Sequence, residues 1–572
     1  MKNKSIVLLF LVTCFFIFKP LLLLFIPGLL ILFYERKVEK IILKSIPISL
    51  SFWIVSFWFL RFIRIPLDLF FYIILILSIL VILVSKSQKI IFKNPWILLG
   101  FFIVIVIRLL PFFLVDFPSG ADMSYHTLNT KIIETQNKFP LTYNPVMPIS
   151  FGAYPIGFHT ISAYISILSN LVVYKSTWLL ATFTYALLTI SLYLFLRNYF
   201  DKKISFLTSL ILSFVPNNPQ LFISWGGNPF ILSVALLFFS IGIIEKFPKL
   251  TIFDQISSML LLVASIFTHT IPAYGFFYIY LPYFIFKNSN TKIKKIIKKA
   301  FPLAIILILL MIPYILSFNT KVSNKEISWS KNRQETKFFS WKGNYLNFLI
   351  TIPIFLKLVF GINILLIILF AFVVNFNETL VKRSFIMYLT TNIVILSSKY
   401  WFLPFSFLLF SERIAILLLI PFSLIIATMF KKFFENKQLI LTSLILIFFI
   451  LISFINVQNT IKSSKTFSMV TKNDLLGMDF ILKNTDPNSM FITNYGDAGA
   501  WIPALTLRKA SNIHISSAYF DEFDEYISTQ TPKYVFIGEK PTYIISLNLN
   551  DYLNSNYEQI FNSGETYIFK IK

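Results

Sequence analysis

The chain has 572 residues, of which 56% are hydrophobic and only 13% charged; Phe alone supplies 67, and the mean hydropathy is +0.75. A water-soluble protein of this size has no means of hiding so much apolar surface, which excludes an ordinary soluble enzyme. The net charge of +25 would suggest nucleic acid in a soluble domain, but here it is read as basic residues kept at helix ends, and no nucleic-acid partner is expected.

Glycine is scarce and ten-residue alternating strands do not recur, so the expected class is a polytopic α-helical membrane protein rather than a barrel. The single cysteine, Cys14, lies inside the first apolar run and has no partner for a disulfide within the chain.

In chain order, about fifteen spans are predicted, at 5–18, 21–34, 46–61, 65–85, 95–115, 176–196, 204–217, 230–244, 253–270, 271–286, 300–317, 361–376, 384–398, 414–430 and 438–456. The first, "MKNKSIVLLFLVTCFFIF", has the charge and length of a signal peptide but no small-residue cleavage site. It runs through Lys19-Pro20 into a second apolar segment, and so reads as a retained helix. The basic loops "ERKVEK", "SKSQK", "RNYFDKK", "EKFPK", "KNSNTKIKKIIKK", "VKR" and "KKFFENK" fall on one side when the N-terminus is cytoplasmic. Two segments run against that orientation: "RFIR", where Arg64 has Asp68 one turn on, and the basic loop "NTKVSNKEISWSKNRQETK".

The expected organisation is then a set of N-terminal transmembrane helices over 1–94 and a transmembrane core over 95–456, whose external loop is 116–175. An external soluble α/β domain occupies 457–572 of this multi-pass cell-membrane protein. In that last part "NDLLGMDFILKNT" has helical periodicity, "SMFITN", "KYVFIGE" and "ETYIFKIK" are β-rich, and "FDEFDEYISTQ" reads as a surface helix. Within the loop, "MSYHTLNTKIIETQNKF" is predicted as an amphipathic helix in the interface and "PLTYNPVMPISFGAYP" as extended chain. The stretch "IGFHTISAYISILSN" is predicted as a second helix that does not cross.

Chemistry-bearing residues gather at the outer ends of the spans. "PSGADMSYH" carries Asp122 and His126, "YPIGFH" carries His159, and "FTHT" carries His269. "SWGGNP" carries Trp225, and "LFSERIAILLLIP" carries Glu412 and Arg413. Plainer roles exist for each: interfacial anchors for His126, His159, Glu412 and Arg413, a structural loop histidine for His269, and a tight turn at Gly226 and Gly227. Asp122 is the hardest to explain structurally, because a carboxylate beside hydrocarbon is costly unless paired or used.

The order "GADMSYH", "YPIGFH", "SWGGNP", "ERIAILLLIP" resembles a group of prokaryotic membrane proteins assigned to the GT-C superfamily of integral-membrane glycosyltransferases. That superfamily includes the protein O-mannosyltransferases and the oligosaccharyltransferase catalytic subunits, and the resemblance spans roughly 95–572. It implies a GT-C-like bundle of about fifteen helices with a small C-terminal external α/β domain. It also implies a large external loop with two juxtamembrane helices and a catalytic acidic residue near its start, the position of Asp122. Asp122 stands alone between Ala121 and Met123, where relatives often carry an acidic pair. "NYGDAGAW" differs from the Trp-Trp-Asp signature of oligosaccharyltransferases, which argues against protein N-glycosylation.

The implied reaction moves a sugar, with inversion, from a polyprenyl-phosphate or diphosphate donor to a lipid, glycan or protein acceptor. Asp122 would be the general base and Arg413 the cation for the leaving phosphate, with His159 and His269 as further catalytic residues. Arg108, Glu412, His126, Lys331, Arg333 and Trp225 are candidates for holding the donor; the alternative for Arg108 is an ion pair with Asp116. A divalent metal, Mg or Mn, would fall to Asp122, His126 and His159. Three other classes fit less of the sequence: a secondary transporter or lipid flippase, an O-antigen-ligase-like enzyme, and a non-catalytic GT-C scaffold. Charged residues avoid the span centres and no inverted repeat is evident, which counts against transport.

Overall fold

The computed structural model describes residues 2–84, 90–91, 93–151, 154–215, 220–287, 293–317, 379–400, 403, 410–435, 439–494, 496–514, 520–540, 549, 552 and 557–571. Among them, six helices are long and apolar enough to cross a membrane, and several shorter apolar helices accompany these. The expected span at 361–376 and the basic loop carrying Lys331 and Arg333 lie outside the described residues.

The first helices are α1 (Lys2–Phe18), α2 (Leu21–Phe25), α3 (Val38–Ile63), α4 (Leu67–Val84) and α5 (Pro95–Leu114). The span expected at 21–34 is not one helix. Pro27 stops α2, and the chain resumes as a 3₁₀ turn over Gly28–Phe33. Backbone groups freed at the break are taken by α3, where Trp53 Nε1 donates to the Ile26 carbonyl at 2.7 Å and Ser49 Oγ accepts from Gly28 N–H at 2.8 Å.

Next come α6 (Asp122–Gln136), α7 (Gly157–Ser169), α8 (Val173–Leu196), α9 (Lys202–Phe214), the short α10 (Phe222–Trp225), α11 (Asn228–Ile244) and α12 (Ile252–Thr268). The centre of the bundle is α8 against α11, and α11 against α12. Hydroxyl residues are tolerated inside all three where they find an acceptor. Thr177, Thr182 and Thr189 bond the carbonyl one turn back, and Ser233 pairs with Ser265 across α11 and α12 at 2.9 Å. By contrast α4 and α5 expose broad apolar faces.

The expected pairing of Arg64 with Asp68 is replaced by another contact. Asp68 accepts from Asn137 Nδ2 at 2.8 Å, tying the start of α4 to the end of α6. Nor is α6 one-sided: every residue from Met123 to Thr130 is buried. An interfacial helix would leave its polar face in water. Here α7 and α8 cover one side, and a C-terminal segment covers another.

The remaining helices are α13 (Thr270–Lys287), α14 (Ile293–Ile315), α15 (Thr379–Tyr400), α16 (Ser411–Ile414), α17 (Leu419–Glu435) and α18 (Leu439–Thr466). The last continues ten residues beyond its expected end at 456, so the 457 boundary falls within it. Its final turns, "NVQNTIKSSKT", are polar but helical; hydropathy marks where such a helix leaves an apolar layer, not where it stops.

After α18 comes a five-stranded sheet, ordered β2-β1-β3-β5-β4, from β1 (Met490–Thr493), β2 (Lys509–Ala510), β3 (Tyr534–Ile537), β4 (Glu558–Ser563) and β5 (Thr566–Lys570). The β1–β2 and β1–β3 pairs are parallel, and β5 is antiparallel to both β3 and β4. Helices α19 (Lys472–Asn484), α20 (Ile502–Thr506) and α21 (Phe520–Ser528) accompany the sheet. A reciprocal cap starts α19, where Thr471 Oγ1 accepts from Asp474 N–H and the Asp474 carboxylate accepts from Thr471 N–H.

This C-terminal unit sits on the start of α6. Trp501, fully buried, meets the ring of Phe117 edge-on at 4.6 Å, and Phe117 stacks on Tyr174 at 4.7 Å. Gly120 N–H donates to the Phe467 carbonyl at 3.0 Å. The loop ahead of Asp122 is thus held between the bundle and the sheet.

Candidate functional site

The loop before α6 and the loop after α10 meet back to back. Ser119 Oγ bonds the carbonyls of Ile223 and Ser224, each at 3.1 Å. Gly120 has φ +97°, and a Cβ there would stand 2.2 Å from the Trp225 carbonyl carbon. Gly226 has φ +100°, and a Cβ there would stand 3.0 Å from both the Asp122 Cβ and Met123 N. Both positions need glycine for conformation and for space, so Gly226 does more than shape a turn: it forms a wall of the Asp122 site. Asn228, fully buried, fastens the second loop by accepting from Tyr185 OH at 3.2 Å and pointing its amide at Met123 Sδ at 3.3 Å.

Asp122 begins α6, where unpaired backbone N–H groups favour a negative charge. Burial raises its pKa above the usual aspartate range, while the charges of His514 and Arg413 oppose that rise. His514 comes from the loop after β2, which is held to β1 by Asn512 N–H donating to Thr493 Oγ1 at 3.2 Å. Burial lowers the His514 pKa, and Asp122 works against that shift. No sequence motif marks His514. The signal available was its rarity: the chain has four histidines, and all four converge on this region.

Arg413 arrives from α16. Its guanidinium carbon lies 5.2 Å from the Trp225 ring centroid and 4.6 Å from that of Phe410, and Nη1 stands 3.3 Å from His269 Nε2. His269 is the residue between α12 and α13. Asp122, Trp225, His269, Arg413 and His514 are all partly exposed, so they line an accessible face.

His126 and His159 lie behind that face. They are 6% and 0% exposed, and His126 Nδ1 is 3.0 Å from His159 Nε2. Burial pushes the His126 pKa down to about 3, although its bond to the Gly226 backbone acts the other way. Both rings are neutral in this setting and serve one another. That arrangement does not fit the expected metal set of Asp122, His126 and His159, and among the described residues no three His, Cys, Asp or Glu side chains stand close enough to hold a metal ion.

Arg108 is also set apart. It is 6% exposed, donates from Nη1 to Gln220 Oε1 at 2.8 Å, and bonds the carbonyl of Ser213 through Nη2. Its guanidinium carbon lies 3.9 Å from the Phe214 ring centroid. The cation therefore covers the C-terminal end of α9, where free carbonyls favour positive charge, in place of the alternative pairing with Asp116. Of Glu412 only the backbone is described.

No protein-family model matches the sequence, and no curated protein sequence is similar to it. The structure is similar to crystal structures of ArnT from Cupriavidus metallidurans. Against the apo state the TM-score is 0.51 at 9% identity, covering 83% of this chain and 98% of that one. Against the same protein bound to undecaprenyl phosphate the TM-score is 0.53 at 8% identity, covering 84% and 98%. An oligosaccharyltransferase from Archaeoglobus fulgidus, in the apo form, is more distant, with a TM-score of 0.46 at 13% identity over 78% of this chain and 70% of that one. The chain is a multi-pass helical membrane protein that shares its fold with ArnT.

Proposed function

We propose that this protein is a glycosyltransferase that moves a sugar from a polyprenyl-phosphate donor to a lipid, glycan or protein acceptor at the external membrane face. The observation that carries the reading is the half-buried Asp122 carboxylate, at the head of α6, within the electrostatic reach of Arg413. The fold supports it, since the similar ArnT has been seen bound to undecaprenyl phosphate. The external assignment rests on the distribution of Lys and Arg among the loops.

In this mechanism an acceptor hydroxyl attacks the anomeric carbon of the donor sugar. The new C–O bond forms as the bond from that carbon to the phosphate oxygen breaks, and the electron pair leaves with the polyprenyl phosphate. Asp122 takes the acceptor proton, and attack from the face opposite the phosphate inverts the anomeric centre. Arg413, held over Trp225 and Phe410, stabilises the charge that grows on the leaving phosphate; a group in this role typically contributes about 3 kcal/mol. His514 and Arg413 oppose the rise that burial imposes on the Asp122 pKa.

The test is to incubate purified protein in lipid with a panel of radiolabelled polyprenyl-phosphate sugars and a mixed acceptor extract, and to determine the anomeric configuration of any product. Transfer with inversion supports the reading. Transfer with retention contradicts the one-step mechanism, and no transfer from any donor favours a scaffold or a transporter.

A further inference from the structure

Four contacts hold His269 in place. Its N–H donates to the Ser265 carbonyl at 2.9 Å, and its own carbonyl accepts from Ser233 Oγ at 3.0 Å. It precedes α13 as a capping residue: ring Nδ1 accepts the Ile271 N–H at 3.3 Å, and Phe230 stands edge-on to the ring at 5.2 Å. A neutral imidazole that accepts at Nδ1 carries its proton on Nε2.

That Nε2 faces Arg413 Nη1 at 3.3 Å, and a guanidinium nitrogen only donates. Two donors therefore confront each other. The other tautomer bonds Arg413 but turns an Nδ1–H against the Ile271 N–H. Neither tautomer satisfies both contacts at once. An oxygen-rich anion placed beside the pair takes a hydrogen bond from each.

We propose that His269 is a second phosphate-contacting residue, acting as an uncharged Nε2–H donor beside Arg413 on the phosphate monoester of a lipid. The N-terminus of α13 sets the tautomer, so His269 adds a directed donor without adding charge. Arg413 supplies the charge, and Trp225 supports its plane. The inference rests on the function proposed above for the identity of the lipid, and on the two histidine contacts for the chemistry.

The discriminating variant is His269→Asn. Asparagine keeps a capping oxygen near the position of Nδ1 but has no donor at the position of Nε2. Binding of farnesyl phosphate, which carries no sugar, is measured by titration on protein in nanodiscs, with farnesol and inorganic phosphate as competitors. His269→Asn is expected to weaken farnesyl phosphate about tenfold with an unchanged melting temperature, and Arg413→Gln to weaken it further. Competition by inorganic phosphate but not by farnesol supports recognition of the headgroup; the reverse pattern overturns it. Equal affinity of His269→Asn and wild type also overturns the proposal, because a residue that only caps α13 behaves that way. Phosphate binding that depends on His269 in a protein that transfers no sugar would leave this inference standing and remove the glycosyltransferase. Sugar transfer by wild type with unaltered binding by His269→Asn would remove this inference alone.

Discussion

His126 Nδ1 lies 3.0 Å from His159 Nε2, and both rings are closed off beneath the face where Asp122 stands one helical turn away on α6. The pair joins α6 to α7 and fixes the platform from which Asp122 projects. His159→Phe keeps the ring volume and removes the partner, leaving a buried nitrogen of His126 unanswered. The expected cost is about 1–3 kcal/mol, read as a lower melting temperature of the purified protein in nanodiscs. An unchanged midpoint would show that the pair does not hold α6 and α7 together.

Gly226 is the wall against which Asp122 rests, with φ +100° and no room for a side chain. Gly226→Ala is expected to introduce about 1–2 kcal/mol of backbone strain and to displace the carboxylate. A displacement of about 1 Å in a reacting group lowers transfer on the order of a hundredfold. Steady-state rates and a melting curve check this together; transfer at the wild-type rate would free Asp122 from any dependence on that loop.

The pH profile follows from the direction of the Asp122 shift. A general base works only when deprotonated, so kcat/KM falls as pH drops through its pKa. Burial raises that pKa, and the acid limb is expected above the ordinary aspartate value of about 3.9. Arg413 and His514 act in the opposite sense, so Arg413→Gln or His514→Gln moves the limb further up. Profiles between pH 4 and 8 for wild type and both variants test the sign. A limb that moves down in either variant contradicts the electrostatic account.

Much of the fold was legible in the sequence because long apolar runs and basic loops report directly on helices that must satisfy their own backbone. The 21–34 segment was misread because hydropathy does not register that Pro27 divides an apolar run. The site was partly legible. Asp122, Trp225, His269 and Arg413 stand out as polar or aromatic residues at the ends of greasy segments, and the structure brings them together. His514 was not legible, since its place depends on how the C-terminal sheet docks, and docking leaves no local pattern. The same docking explains α6: its polar residues look solvent-facing in sequence, yet Trp501 and its neighbours help to cover them. The bonds of Arg108 to Gln220 and to Ser213 at the end of α9 leave no local pattern either.

Trp501 tests the docking itself. Trp501→Ala opens a cavity against Phe117 and is expected to weaken the attachment of the C-terminal unit by about 3–5 kcal/mol. Limited proteolysis after Thr466 should accelerate, and transfer should fall as His514 leaves the site. Unaltered proteolysis would mean that other contacts hold the unit in place.

The most direct measurement of the central claim compares wild type with Asp122→Asn in single-turnover transfer from a polyprenyl-phosphate sugar, with farnesyl phosphate affinity determined on the same preparations. The account predicts that Asp122→Asn binds the phosphate normally and loses transfer by at least about a hundredfold, the range typical of a removed general base. Transfer by Asp122→Asn at the wild-type rate would contradict it and remove Asp122 from the chemistry.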